Sequence, residues 1–197
     1  STANNWDGNA VPTVVGGLSE AVTFDGTSTK NCDIDNVGTW GAGGNPATWG
    51  SLTITSAYTG TIKVTLDATV NPLKIGALSV AGGTFQTYNT DATVINIIKL
   101  ASYTQSGGTV YLGAADITVG DISMTGGVFD AGTSVIAMQA ATGDKTLSAN
   151  TFSFNNFNFI NGGTSNRTIT IAAGTITFNS NVVLHTGDTG NLIVDAS

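Results

Sequence analysis

Three aspartates have the clearest capacity for chemistry, because their spacing could bring their carboxylates together. Asp67, Asp91 and Asp116 each follow a glycine by seven or eight residues. If successive segments of the chain stack, carboxylates in one column repel each other, so the column would bind Ca²⁺ or raise the pKa of one carboxyl group. Paired carboxylates also cleave glycosidic bonds. Their neighbours favour turns, so the sequence predicts exposed turn aspartates first, a weak Ca²⁺ site second and catalysis last.

Three tryptophans, Trp6, Trp40 and Trp49, lie in the N-terminal part of the chain. Trp40 and Trp49 flank a glycine-rich segment. Exposed indole rings stack on sugar rings, which makes Trp40 and Trp49 candidate glycan contacts. Buried rings would instead close the end of an elongated core with bulky apolar cover. The sequence favours this second interpretation.

His185 and Cys32 are the only histidine and the only cysteine, and neither has the neighbours that catalysis requires. No G-x-S-x-G segment presents a serine nucleophile. In an elongated fold, the histidine would lie far from the cysteine that it would have to activate. We therefore expect a buried Cys32, a His185 in a turn, no enzymatic activity and no cofactor beyond the weak Ca²⁺ candidates.

The composition is poor in charge, which narrows the classes of partner. Charged residues make up 10% of the 197 residues, and the net charge is −7. The six Lys and Arg residues are dispersed, so we expect no binding to nucleic acid or to an anionic membrane surface. No run of about 18 apolar residues predicts a membrane span. Many β-branched residues and 26 glycines favour an all-β protein.

A glycine followed by a strand-forming pair, usually led by threonine, recurs along the chain. These marker glycines lie at positions 60, 83, 108, 127 and 174, and Asn150 fills the one long gap. Neighbouring markers are separated by roughly 19 to 25 residues, a repeat length that is typical of stacked coils when the repeat is filled with strand-forming residues. The sequence thus predicts an all-β, right-handed parallel β-solenoid (β-helix), with the hand taken from the general preference of parallel crossovers.

The regular pattern starts near residue 51. Residues 1–50 are predicted to form an irregular N-terminal cap or lead-in segment with short strands, and residues 51–197 about six coils of about 19–25 residues, all within one domain. A bend at Asn155 and Asn156 is expected, because it would turn the phenylalanines on both sides of it inward. Thr-Ile-Thr triplets start at 53, 168 and 175. They lie at different distances from their markers, so no flat threonine array is predicted.

Several of these segments resemble the repeats of large secreted bacterial β-solenoid proteins, which include autotransporter passenger-like and filamentous adhesin-like surface proteins. The resemblance is carried by AYTGT at 57–61, SGGT at 106–109 and FNFINGG at 157–163. The NW…VP…VTFDG sequence between Asn5 and Gly26 also resembles the segment that often precedes such repeats. The resemblance implies a secreted or cell-surface protein and supplies no catalytic residue.

The two ends of a solenoid leave backbone groups unpaired, and proteins either cover such edges or use them for pairing. We therefore expect head-to-tail assembly of copies of this chain. A head-to-tail contact that does not close into a ring makes a filament. The predicted assembly contacts at the two ends are Val22, Phe24 and Ile34, and Leu192, Ile193 and Val194.

The expected function is therefore that of an extracellular structural protein, a surface or filament subunit. The alternative is an adhesin or phage-fibre type module that binds cell-surface glycans through Trp40 and Trp49 or through the aspartate column. A further alternative is that the chain is one segment of a larger protein whose next coil covers the end.

Overall fold

A computed structural model describes residues 21–27, 29–35, 48–65, 73–87, 96–140, 142–172, 174–186 and 190–195. These residues form β-strands joined by turns and loops, and they contain no helix. The first nine strands are β1 (Ala21–Phe24), β2 (Cys32–Asp35), β3 (Thr48–Ile54), β4 (Thr61–Thr65), β5 (Leu73–Val80), β6 (Thr84–Thr87), β7 (Ile97–Gln105), β8 (Thr109–Tyr111) and β9 (Asp116–Met124). The other nine are β10 (Val128–Asp130), β11 (Val135–Gln139), β12 (Lys145–Ala149), β13 (Thr151–Phe154), β14 (Asn156–Asn161), β15 (Arg167–Ala172), β16 (Thr175–Phe178), β17 (Val182–Thr186) and β18 (Leu192–Asp195).

The strands stack as parallel rungs, which confirms the predicted all-β parallel solenoid. The main sheet has the order β1-β3-β5-β7-β9-β11-β14-β17, and β12, β15 and β18 continue beside it from β9. A second sheet has the order β2-β4-β6-β8-β10, and β13 pairs with β16 in a third. Apolar side chains from all three sheets form one continuous core. The right-handed winding stays a prediction.

The marker residues stack on one another, as the repeat predicts. The N–H of Thr109 donates to the carbonyl oxygen of Gly83 at 2.9 Å, one coil earlier. Asn150 acts in the same way, since the N–H of Thr175 donates to its carbonyl oxygen at 2.6 Å. Gly83 and Gly108 have φ angles of 53° and 64°, a region in which a Cβ is strained. The marker is therefore a turn that stacks from coil to coil.

The long strands of the main sheet bend once near their middle. In β5 the buried positions change phase between Ile75 and Leu78, so both halves of the strand send apolar side chains into the core. In successive coils the bend is occupied by Gly50, Gly76, Ala101 and Gly120. A Cβ on Gly76 would collide with the carbonyl oxygen of Gly50. The bend therefore requires small residues, because successive backbones approach closely there.

The next coil opens this bend into a loop. Val119 of β9 pairs with Met138, whereas Ile122 of the same strand pairs with Leu147. The second step is longer along the chain than the first, and the extra residues are accommodated between β11 and β12, which pair with the two halves of β9. The register on both sides of the loop is kept.

The solenoid begins earlier than the sequence predicts. β1 and β2 lie inside the predicted cap of residues 1–50, yet they pair in parallel with β3 and β4. The steps along the chain from Ala21 to Ser51 and from Ser51 to Ala77 are both longer than the predicted coil. The main sheet thus has eight successive rungs, of which β1 lies within the predicted cap; about six coils were predicted for residues 51–197. No glycine precedes β2; Asn31 stands there, and its Oδ1 accepts the N–H of Thr61 at 3.0 Å.

The bend predicted at Asn155 is confirmed. β13 ends just before Asn155 and β14 begins just after it. The rings of Phe154 and Phe157 meet across the bend with their centroids 5.0 Å apart. The four phenylalanines of this segment are at most 9% exposed: Phe152, Phe154, Phe157 and Phe159.

Tyr58 closes the turn between β3 and β4. Its side chain is 1% exposed, and its hydroxyl donates to the carbonyl oxygen of Lys30 at 2.6 Å. Burial raises the pKa of Tyr58 to about 12, with a smaller contribution from Cys32. The folded chain thus favours the protonated phenol, because ionisation would place a charge in an apolar site.

We predict that Gly83→Ala lowers the free energy of unfolding by about 2–3 kcal/mol, because a Cβ at this left-handed position is strained and crowded. It would lie 2.6 Å from Cδ1 of Tyr58 and 2.7 Å from the oxygen of Gly60. The control is Gly143→Ala, where a Cβ meets nothing within 4 Å; a change of at most about 0.5 kcal/mol is expected there. Urea unfolding measures both, and equal stability of the two variants would contradict the prediction.

We also predict that stability declines in alkali partly through Tyr58. A raised folded-state pKa means that the contribution is complete below the unfolded value of about 10. It is lost as the pH rises through the folded-state pKa of about 12. Tyr58→Phe is expected to flatten the fall of unfolding free energy across this window, measured by urea unfolding at successive pH values. Tyr111→Phe, at a residue that is 44% exposed, serves as control, and equal slopes in wild type and Tyr58→Phe would refute the assignment.

Candidate functional surfaces

The structure contradicts the prediction that Asp116 belongs to a column of aspartates. Asp116 is exposed at the start of β9, and its partners in the adjacent rungs are Ile97 and Val135. The coil step from Ile97 to Asp116 is shorter than the separation of Asp91 and Asp116, so the register places an apolar residue where the column requires a carboxylate. Asp67 and Asp91 lie outside the described residues. Within the described ranges, no three His, Cys, Asp or Glu side chains group into a metal site.

Trp49 is a core residue. It lies in β3 opposite Ile75 and is 1% exposed. A buried ring has no face to offer to a sugar, so the structure contradicts Trp49 as a glycan contact. The preferred interpretation, that its ring closes the end of the core, stays a prediction, because β1 lies beyond β3 in the sheet. Trp40 lies outside the described residues.

Cys32 is buried in β2, as predicted, with 7% of its surface exposed. His185 belongs to strand β17 rather than to a turn, and its partner in the ladder is Ile160. Its side chain is outside what the structure describes.

The predicted assembly residues at the N-terminal end belong to the core. Val22 and Ile34 are 4% and 3% exposed, and Phe24 packs on Tyr58 with ring centroids 5.2 Å apart. Their side chains already pack inside the subunit, so they are not available for contacts with another copy. Contacts between copies at this end would therefore have to come from the backbone edges of β1 and β2, which end the two long sheets among the described strands.

The C-terminal end presents more apolar surface than the sequence suggests. Leu192 and Val194 are half-buried against the core, and Ile193 is 51% exposed. Two residues of β17 were missed: Val182 and Leu184, which are 45% and 64% exposed. They continue the columns of the two buried rings of β14, because the ladder pairs Phe157 with Val182 and Phe159 with Leu184. Their place in this register is the signal that sequence reasoning lacked.

A second surface that sequence reasoning missed is a column of hydroxyl groups on the outer face of the main sheet. Six successive rungs place a threonine or serine at the same position: Thr23, Thr53, Ser79, Thr104, Ser123 and Ser148. Two residues earlier on each strand lies a parallel column of small or polar residues: Ala21, Ser51, Ala77, Ser102, Asp121 and Thr146. We call the two columns the hydroxyl face.

The side-chain hydroxyls of this face make no hydrogen bond to other groups in the part of the chain that the structure describes. Adjacent rungs are about 4.8 Å apart, and residues two apart on a strand about 6.6 Å. Hydroxyl groups at these separations are too distant to bond each other directly. Asp121 is the one charged member; its carboxylate accepts the N–H of Thr146 at 2.9 Å and lies 3.6 Å from the ammonium of Lys145.

Two spaces in the described part of the chain can be compared with ligand pockets. The core holds a cavity of about 20 Å³ lined by apolar side chains such as Leu78, Phe85 and Ile122, which is room for about one water molecule and for no organic ligand. An open groove of about 160 Å³ lies beside Lys145 and is also lined by Gly120 and Thr142. It is smaller than the cavities that usually hold small molecules.

Comparison with known proteins gives no relative from which a function could be transferred. No family model, no curated protein and no solved structure matches the chain. Among the described residues, none forms a helix of the length and hydropathy needed to cross a bilayer.

We predict that Trp49→Ala lowers the free energy of unfolding by about 3–5 kcal/mol, because truncation of a buried ring leaves a cavity in the core. Urea unfolding followed by circular dichroism measures it. The matched control is Val128→Ala, whose side chain is 58% exposed and whose truncation should cost at most about 0.5 kcal/mol. A loss of similar size at both positions would mean that Trp49 is not a core residue.

Proposed function

We propose that this protein is an extracellular structural protein, a surface or filament subunit whose copies join end to end through their solenoid ends. One observation carries the proposal. Val182 and Leu184 occupy core columns, but they are about half exposed or more, whereas Phe157 and Phe159 one rung earlier are at most 2% exposed. A further parallel rung laid on β17 would bury them.

The backbone of β17 supports the same arrangement. In a parallel ladder, alternate residues direct their N–H and C=O groups to opposite neighbours. The N–H of Phe157 in β14 donates to the carbonyl oxygen of Asn181, so Asn181 and Val183 face β14. Val182 and Leu184 then direct their backbone groups to the open edge. Unpaired edge groups of this kind are a template for another strand.

The opposite end offers an edge that is complementary to β18, the neighbour of β17 at the C-terminal end. By register, β1 lies in the column of half-strands that continues through β12 and β15 to β18. The carbonyl oxygen of Phe24 accepts the N–H of Thr55 at 2.9 Å, so Phe24 faces β3 and Thr23 directs its backbone groups away from the stack. Both ends continue one parallel sheet, and a contact between unlike ends that does not close propagates into a filament. The glycan-binding alternative is weaker, because Trp49, one of its two aromatic contacts, is buried.

We predict that the purified chain forms filaments in a concentration-dependent manner and that Leu184→Pro abolishes them. Proline removes the edge N–H of Leu184 and places its ring where the next strand would pair, without removing a hydrogen bond to β14. Electron microscopy and sedimentation velocity measure the assembly. Mixed with wild type at a low ratio, Leu184→Pro is expected to shorten the filaments, because it can join at one end and then stops growth.

Two controls separate the joint from the fold. Leu184→Thr keeps the N–H and the strand propensity but removes apolar surface, so it should weaken assembly without abolishing it. Val183→Pro removes a bond to β14 and should instead destabilise the subunit. Folded wild type that stays monodisperse at every concentration would refute end-to-end assembly, and retention on a glycan array would then favour the binding module.

A further inference from the structure

We propose that the hydroxyl face binds crystalline water, so that the protein has an ice-binding surface on the side of the solenoid. This inference is independent of the end-to-end contact, because the face lies along the stack and not at its ends. It starts from the register, which repeats one hydroxyl position over six successive rungs of the main sheet.

The repetition makes the face a lattice. Six rungs about 4.8 Å apart extend over roughly 24 Å, and the two columns lie about 6.6 Å apart. The backbone ladder fixes these distances, and the β-branched threonines Thr23, Thr53 and Thr104 hold their hydroxyl groups in few rotamers. The side chains beneath the face, such as Leu52 and Ile54, are fully buried. The lattice is thus rigid before any ligand arrives, which lowers the entropic cost of binding.

The hydroxyl groups of the face can form their hydrogen bonds with water. Neighbouring oxygens in a column are too far apart for a direct hydrogen bond, but one water molecule can accept from or donate to both. Water molecules that bridge neighbouring hydroxyl groups would then be ordered at the spacing of the columns. An ice crystal can extend such an ordered layer of water. Many weak contacts held at fixed spacing add up to strong binding only if the ligand is itself periodic.

Other ligands fit the face less well. Neither of the two spaces described above is lined by a residue of its two columns, so neither makes the face a pocket for a small molecule. It has no aromatic ring in its two columns, and flat polysaccharide surfaces are recognised mainly by aromatic stacking on sugar rings. Only one of the twelve positions, Asp121, is charged, so neither an acidic nor a basic polymer finds a complementary patch. Asp121 is paired with Lys145 at 3.6 Å and is a defect in the lattice.

The test measures thermal hysteresis, inhibition of ice recrystallisation and partition of the protein into growing ice. It is done with wild type and in the Leu184→Pro background, so that filament formation does not contribute. Folded wild type is expected to be active in all three assays. Thr104→Tyr places a bulky ring in the middle of the lattice and is expected to remove most of the activity.

The matched control is Thr84→Tyr. Thr84 also lies within a parallel strand between two threonine rungs, Thr61 and Thr109, but on the outer face of the second sheet. Tyrosine suits a strand at both positions, and circular dichroism with thermal unfolding checks that both variants fold. Thr84→Tyr is expected to keep wild-type activity. An equal loss in the two variants would overturn the assignment of the face.

Two further variants should increase activity. Ala77→Thr fills a gap in the second column, and Asp121→Asn removes the charge while it keeps an oxygen for the N–H of Thr146. A gain in thermal hysteresis supports the proposal, because substitutions on a surface that does not bind ice would not increase thermal hysteresis. Folded wild type with no thermal hysteresis and no partition into ice overturns it. Retention on crystalline cellulose or chitin without effect on ice overturns it as well and assigns the face to a polysaccharide.

Discussion

The structure depends on one constraint: each residue of a rung must sit beside its equivalent one coil earlier, so that parallel backbone bonds form along the stack. This constraint turns every position into a column. Apolar columns form the core, hydroxyl columns form an outer face, and the bend must hold small residues, because Gly76 lies directly over the carbonyl of Gly50. The core, the outer face and the bend are therefore each determined by which residues share a column, and not by single residues.

Polar side chains maintain this register where the strands begin. The carboxylate of Asp144 accepts the N–H of Thr168, and the amide oxygen of Asn166 accepts the N–H of Asn191, each one coil further on. Asn31 does the same for Thr61. The ladder thus continues beyond the strand ends through side chains, which satisfies backbone donors that would otherwise be unpaired. It also gives Asp and Asn a structural use in a chain with few charges.

The sequence was sufficient for the fold class, the marker turns and the bend at Asn155, but not for the bend of the long strands or for the register. The marker turns and the bend at Asn155 follow from backbone preferences of single residues, so both could be predicted. The hydroxyl face could not, because distances were counted from the markers. Thr53 precedes its marker glycine by seven residues and Ser79 by four, and only strand pairing shows that they share a column. The same variable turn length produced the false column of Asp91 and Asp116.

The loop between β11 and β12 shows how such a molecule can change. It lengthens one coil, yet the rungs before and after it stay in register. Length variation is thus confined to the outside of the bend and is not transmitted along the stack. In an evolving lineage, or in a designed scaffold, this corner is where a new recognition loop could be grafted while the neighbouring coils remain unaltered.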